Sequence, residues 1–335
     1  MSNMHILSCG PAVTVQDGGR SGYLALGLSR GGAADRLALA EGAALLGLPV
    51  GNALEMAGMG GEFRFDHAAR IALSGAPMGA DLEGTPLAWN ASHAIPAGAV
   101  LRIGGAMQGV YGYLSVAGGF ALPEVMGAQS AHLVAGLGRA MQAEDILPLG
   151  KDPGGQVGRH LPLDERFEGG LLRLLPSLQT RLFEPAEQAR FARMLFARDQ
   201  RANRMGVRLI PDGKGFGITS GQTIISEVIT PGDVQIPGDG APYILLSECQ
   251  TTGGYPRIGT VLPCDLPRAA QARPGAGVRF TFVERIDALA LEADYRQHIK
   301  GLPRATSPLT RDPQDIPDLL SYNLISGVSA GEETP

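Results

Sequence analysis

Cysteine is scarce: 335 residues contain three, Cys9, Cys249 and Cys264, with no Cys-x-x-Cys spacing. The odd number leaves one unpaired, so neither a disulfide framework nor a structural zinc site fits. The six histidines (His5, His67, His93, His132, His160 and His298) are scattered, with no pair at metal-ligand spacing. Tryptophan occurs once and tyrosine seven times, too few to mark an interface stripe. Charged residues make up 18% of the chain and the formal charge is −5, which argues against a nucleic-acid surface. No basic leader opens the sequence. The longest weakly polar stretch, Gly42 to Leu54, carries Pro49 and Asn52 and is too short to span a bilayer. The expectation is a cytoplasmic protein with neither a nucleic-acid nor a membrane partner and no metal ligands.

Glycine and turns are abundant. With 48 glycines and 24 prolines, about a fifth of the chain is turn-forming, below the roughly 25–30% that marks low complexity. The glycines have no period of three, which excludes collagen. Hydrophobic residues at 44% provide a core, and the length allows about two domains at roughly 150 residues each.

Strand-like runs recur at Arg70–Ser74, Val100–Ile103, Val110–Val116, Tyr243–Ser247 and Val278–Val283, most of them punctuated by glycine or proline. This pattern predicts a mainly β fold of antiparallel sheets, sandwich or barrel, with a few helices. The helices are expected from near Ala33 to before Pro49, from Pro185 to about Arg198, and from Ala288 to Ile299. A linker at 151–156 divides the chain into a first β-barrel-type domain over 1–150 and a second over 157–300. A proline-rich extended tail is expected over 301–335. Two runs, from Pro96 and from Pro274, resemble each other as glycine turns feeding a strand.

Two Gly-x-Ser-x-Gly matches centre on Ser29 and Ser329. The first lies between an expected strand, Tyr23 to Leu28, and a helix, as a nucleophile elbow requires; 48 glycines also produce such a pattern by chance. Gly213-Lys-Gly-Phe-Gly217 is a phosphate loop or a plain hairpin turn, and no P-loop motif is present.

Three segments concentrate chemistry. In Thr14-Val-Gln-Asp-Gly-Gly-Arg20, an amide (Gln16), a carboxylate (Asp17) and a guanidinium (Arg20) flank two glycines whose N–H groups can face a ligand. Gly31-Gly32 then leads through Asp35 into the first helix, whose N-terminus suits an anion. A turn with Arg20 paired to Asp17 accounts for the first run equally well. In Asn203-Arg-Met-Gly-Val-Arg208, Arg204 and Arg208 share one face of a strand and suit a carboxylate or phosphate, or are solvated surface residues. The third segment joins Gln235 to Gln250-Thr-Thr-Gly-Gly-Tyr-Pro-Arg257. Thr251, Thr252 and the Gly253 and Gly254 amides are donors for the oxygen of a planar amide or ureido group; Tyr255 adds a flat face and Arg257 a cation.

These segments, with Ser74-Gly-Ala76, Tyr113-Leu-Ser-Val-Ala-Gly-Gly119 and Asn203-Arg-Met-Gly-Val-Arg-Leu209, stand in the order found in one family. Over about residues 6–290 the chain resembles the biotin-dependent carboxyltransferase-like family, also called allophanate hydrolase subunit 2, which includes the 5-oxoprolinase C-subunit. Where family members often read Gly-Ser-x-Ser-Thr, this chain has Gly127-Ala-Gln-Ser-Ala131. The resemblance implies cyclophilin-like β-barrels and a hydrolase component working with two partners of the same enzyme, a sister B-subunit and an A-subunit. In that role the enzyme opens 5-oxoproline to glutamate with ATP and Mg as cofactors.

Two alternatives accompany it. One is a carboxyltransferase component using carboxybiotin on urea or a similar small amide. The other is a non-catalytic regulatory partner that antagonises a kinase inhibitor. No biotin-carrier Met-Lys-Met is present, so complete urea carboxylation by this chain alone is excluded. On the enzymatic readings, Asp17, Arg20, Thr251, Thr252 and Arg257 are the catalytic candidates. Gln16, Gly31, Gly32, Asp35, Arg204, Arg208, Gln235, Gly253, Gly254 and Tyr255 are expected to bind substrate.

Overall fold

The computed structural model describes residues 2–219 and 224–310. The first half is built from two sheets. One runs in the order Ile146–Pro148, Asn3–Cys9, Met59–Phe65, Val100–Ala106, Met78–Leu82 and Thr85–Pro86. The other runs Val13–Gln16, Ala53–Ala57, Tyr111–Val116, Ala69–Gly75, Ala91–Ile95, Arg159–His160 and Ser307–Pro308. All pairings within both sheets are antiparallel. Side chains from both, including Met4, Ile6, Leu54, Phe63, Phe65, Leu73 and Leu101, meet in one apolar core. Fully burying each such side chain contributes about 1.5–3 kcal/mol.

The second half closes on itself. Its barrel runs Gly170–Leu175, Arg257–Val261, Asp233–Gln235, Tyr243–Leu245, Gly206–Ile210, Phe196–Asn203 and Gly277–Phe282. The closing pair, Gly170–Leu175 with Gly277–Phe282, is parallel. The fold is therefore mainly β with few helices, as composition and turn spacing predict. Among the described residues, only the second half forms a closed barrel.

The described residues include four α-helices: α1 (Arg36–Leu46), α2 (Pro185–Arg193), α3 (Leu266–Gln271) and α4 (Arg285–Ala305). Helix α1 starts where the Asp35 side chain accepts the Ala38 N–H, and ends at Gly47 in the left-handed region. It packs so closely on Tyr111–Val116 that a β-carbon at Gly42 would lie 2.4 Å from Ser115 Oγ. Helix α2 stops at Arg193, earlier than its pattern predicts, because Phe196 already belongs to the barrel wall. There Phe191, Phe196, Phe216 and Phe280 form a cluster with ring centroids 4.8–5.8 Å apart.

The extended tail expected over 301–335 is not found over 301–310, and its remainder lies outside the described residues. Helix α4 runs through Pro303 to Ala305, and Ser307–Pro308 adds a strand beside Arg159–His160. Leu302 packs with Leu37, Leu45 and Leu161, returning the chain to its first half. Among the described residues no helix is long and apolar enough to cross a membrane.

Two buried guanidinium clamps hold the halves together. Arg166 donates to Asp35 at 2.8 Å and to both oxygens of Glu41 at 2.9 and 2.6 Å. Gln271 bridges Asp35 and the Tyr111 carbonyl and accepts from the Val110 and Tyr111 N–H groups. The second clamp, Arg204, belongs to the site.

Candidate functional site

The first two chemistry-bearing segments meet at the seam between the halves, and the turn that leads into the third also touches it. The Gly31 N–H donates to the Ser247 carbonyl at 2.9 Å, and Arg204 Nη2 donates to the Gly32 carbonyl at 2.6 Å. Backbone approach explains both glycine pairs. Gly19 (φ +79°) and Gly32 (φ +77°) face each other, and a β-carbon on either would fall 2.6 Å from the other run's backbone.

In the first segment every polar side chain singled out has an internal partner except at Gln16 Oε1. Asp17 accepts from the Gly19 N–H at 2.8 Å and from the Gln129 N–H at 2.7 Å. Arg20 is buried and does not pair with Asp17; it donates to the Val125 and Ser130 carbonyls and to Ser130 Oγ. Gln16 donates to Thr14 and the Ala131 carbonyl, while its Oε1 has no partner among the described residues. Asp35 caps α1 and receives Arg166 and Gln271, so the helix N-terminus already holds a carboxylate.

The expectation that Arg204 and Arg208 grip one anion is not met. Arg204 lies in the hairpin turn after Phe196–Asn203 and reaches across the seam to Glu55, to Glu248 at 2.6 Å and to Gly32. Glu55 is in turn held by Tyr113 Oη at 2.6 Å and by the Ala34 N–H. Burial works against the Arg204 charge, but Glu55 and Glu248 outweigh it and hold the guanidinium above its usual range. Arg208, on the following strand, pairs with Asp199 and Asp239, each at 2.6 Å.

The third segment shapes a cleft of about 260 Å³. Met205, Gln235, Tyr243, Cys249, Gln250 and Tyr255 line most of it, and none carries a formal charge at neutral pH. Gln235 is 7% exposed, and its Nε2 has no hydrogen-bond partner among the described residues. Gly253 permits this: a β-carbon there would sit 2.6 Å from Gln235 Nε2. Tyr255 is half-exposed at the mouth. The Cys249 thiol is pushed up to about 12 by burial and the nearby Asp233 charge, so it is a packing group and not a nucleophile.

Thr252–Gly253 pairs with Glu227–Val228, and the Thr251 carbonyl accepts the Ile229 N–H. Arg257, expected as a free cation, binds Glu227 at 2.6 Å, Asp233 at 3.1 Å and the Val228 carbonyl. Sequence reading missed Met205, Ile229, Pro237 and Tyr243 as cleft residues, because apolar side chains give no chemical signal until a fold places them.

Ser29 also acquires neighbours that no local motif announces. Its Oγ lies 2.9 Å from His132 Nε2, and Glu248 lies 3.9 Å from His132 Nδ1. Yet Nδ1 accepts the Ala135 N–H at 3.2 Å, so the neutral ring carries its proton on Nε2 and donates to Ser29. A general base needs the opposite tautomer. Burial also holds the imidazole pKa below its ordinary value, against the opposing pull of Glu248. The expected strand before Ser29 is a 3-10 turn, Leu24–Leu26, ended by Gly27 at φ +82°. The nucleophile-elbow reading fails on both counts, and its second match, at Ser329, lies outside the described residues. At Gly213–Gly217 the Lys214 and Gly215 carbonyls receive Arg190, which stacks 3.7 Å over the Phe216 ring. Among the described residues no three His, Cys, Asp or Glu side chains are grouped to hold a metal ion.

A closed β-barrel carrying a neutral cleft, joined through buried arginine clamps to a two-sheet half, defines a carboxyltransferase-type module. The chain belongs to the family described as carboxyltransferase domain, subdomain A and B, whose model matches residues 26–282. It is 32% identical to the 5-oxoprolinase C-subunit of Escherichia coli (strain K12), over 89% of this chain and 97% of that protein. The crystal structure of TTHA0988 superposes with a TM-score of 0.76 at 33% identity, covering 84% of this chain and 55% of that one. Urea amidolyase of Lachancea kluyveri is 26% identical over 82% of this chain, which spans 16% of that protein.

Proposed function

We propose that this chain is one component of a multi-subunit, ATP-dependent 5-oxoprolinase, and that the Gln235 cleft holds the lactam. The observation that carries the reading is the buried Gln235 Nε2, without a partner among the described residues, in a cleft whose described lining is uncharged, in a chain similar along nearly its whole length to a 5-oxoprolinase C-subunit. A buried donor without a partner costs about 1–3 kcal/mol in the free protein, and a ligand oxygen removes that cost.

Coupled to ATP, ring opening consumes 5-oxoproline, ATP and two waters and yields glutamate, ADP and phosphate: water oxygen ends on the former lactam carbon, the bond from that carbon to nitrogen breaks, the nitrogen takes a proton, and the γ-phosphoryl group leaves as phosphate. Nitrogen donation into the carbonyl makes that carbon unreactive, and negative charge collects on the oxygen as water adds. Gln235 Nε2–H donates to this oxygen, while Tyr255 covers the ring at the cleft mouth. The Arg204–Glu248 pair fixes the turn that carries Cys249 and Gln250.

The test mixes the purified chain with its candidate partner subunits and follows glutamate released from 5-oxoproline with and without ATP. Release that needs both ATP and this chain is expected; none from a folded assembly refutes the reading. Gln235→Leu should lower kcat/KM about 10²-fold, at the lower end for loss of one donor to a developing oxyanion. The partial likeness to urea amidolyase keeps carboxyl transfer to a small amide as a second reading, since the same neutral cleft suits a ureido group.

A further inference from the structure

We infer that the nucleotide, its metal ion and the cations that hold them are bound by a partner subunit, and that this chain supplies the amide-binding half of the site alone. The inference rests on the 5-oxoprolinase reading and concerns the division of labour within it. A triphosphate is recognised by free guanidinium or ammonium groups and by runs of unspent backbone N–H groups. Among the described residues, the segments with the right composition have spent their arginines and part of their N–H groups.

Arg20 is buried on two carbonyls and a hydroxyl. Arg204 faces two carboxylates, Glu55 and Glu248, and Arg257 faces two more, Asp233 and Glu227. The Arg204 and Arg257 clusters each carry one formal negative charge in excess, whereas Arg20 has no carboxylate partner among the described residues. Arg208 is shared between Asp199 and Asp239.

Part of the N–H groups in these runs is committed as well. Gly19 donates to the Asp17 carboxylate, Gly31 to the Ser247 carbonyl, Ala33 to the Asp17 carbonyl and Ala34 to Glu55. The start of α1 holds the Asp35 carboxylate. At the remaining glycine loop, the Phe216 N–H donates to Gly240, and the cavity beside it is lined by Lys214 with Glu184, Glu187 and Asp239, of which Glu187 is paired to Arg190 and Asp239 to Arg208. Among the described residues, none that lines the Gln235 cleft is charged. A neutral planar amide fits these surroundings; Mg·ATP does not.

The experiment measures equilibrium binding of labelled ATP, with Mg, to the full chain alone, to the partner subunits alone and to the assembly, beside the glutamate assay. The expected result is no saturable binding to this chain below about 1 mM and stoichiometric binding to the partners or the assembly. Stoichiometric binding to the chain alone, abolished by Arg257→Gln, overturns the inference even if the assembly makes glutamate. Absence of nucleotide binding from all three samples also overturns it, and the glutamate assay then reports separately whether the 5-oxoprolinase reading stands.

Discussion

Replacing Arg204 by methionine strands two carboxylates in the seam. Glu55 and Glu248 are each about 1% exposed, and the guanidinium between them is their shared counter-charge. Glu55 retains Tyr113 and the Ala34 N–H, and Glu248 retains a 3.3 Å contact from the Val134 N–H, but neither set supplies a full positive charge. Removing one partner of a buried ion pair costs about 3–5 kcal/mol, whereas replacing the whole cluster with neutral groups is often close to neutral. Arg204→Met alone should therefore lower the unfolding free energy by about 3–5 kcal/mol. The triple variant Arg204→Met, Glu55→Gln, Glu248→Gln should recover most of it. Urea titrations followed by far-UV circular dichroism measure both. A single substitution costing less than about 1 kcal/mol, or a triple variant no more stable than the single, refutes the view that uncompensated charge dominates this seam.

Two further outcomes are expected. Burial raises Glu41 to about 7, against the pull of Arg166, whose charge is shared among Asp35, Glu41 and Asp164. Between about 4.5 and 7 the folded chain keeps a proton that the unfolded chain has lost, so stability should fall by about 3 kcal/mol as pH rises through that window. Glu41→Gln should flatten that slope in unfolding titrations; Asp145, Asp152 and Asp199, all held below their ordinary values, act only at lower pH. Ser29→Ala should leave glutamate release by the assembly unchanged within about twofold while costing about 1 kcal/mol of stability for its lost hydrogen bond; loss of turnover would restore the nucleophile reading.

Much of the fold is legible in the sequence because strands and glycine turns leave local marks. The two similar runs from Pro96 and from Pro274 both prove to be a glycine turn feeding a strand, with Gly98 at φ +80° and Gly275 at φ +83°. The end of α2 is harder to read, because Met194 and Leu195 continue its apolar pattern up to the barrel strand that begins at Phe196. The site is half legible. Gln235 and Tyr255 stand in segments with evident donor chemistry, and the fold brings them to one cleft. The arginines mislead, because a guanidinium advertises anion binding whether its partner is a ligand or a carboxylate 149 positions away, as Glu55 is from Arg204. That distinction belongs to tertiary structure, as does the contact of Ser29 with His132, 103 positions apart.

The return of Ser307–Pro308 to the edge strand Arg159–His160 bears on how the protein is made. Arg159 donates to the Thr306 carbonyl and hydroxyl, and α4 lays Tyr295, Ile299 and Leu302 against the α1 cluster. A ribosome adding about 5–20 residues per second leaves that sheet edge open for roughly 7–30 s before the closing strand emerges. During that interval the nascent first half presents unpaired backbone groups beside uncovered apolar side chains, the combination that draws in other strands. Cells translating this message at high density therefore face an aggregation hazard set by the distance between residues 160 and 307, and slower initiation or chaperone capture of the first half should raise the soluble yield.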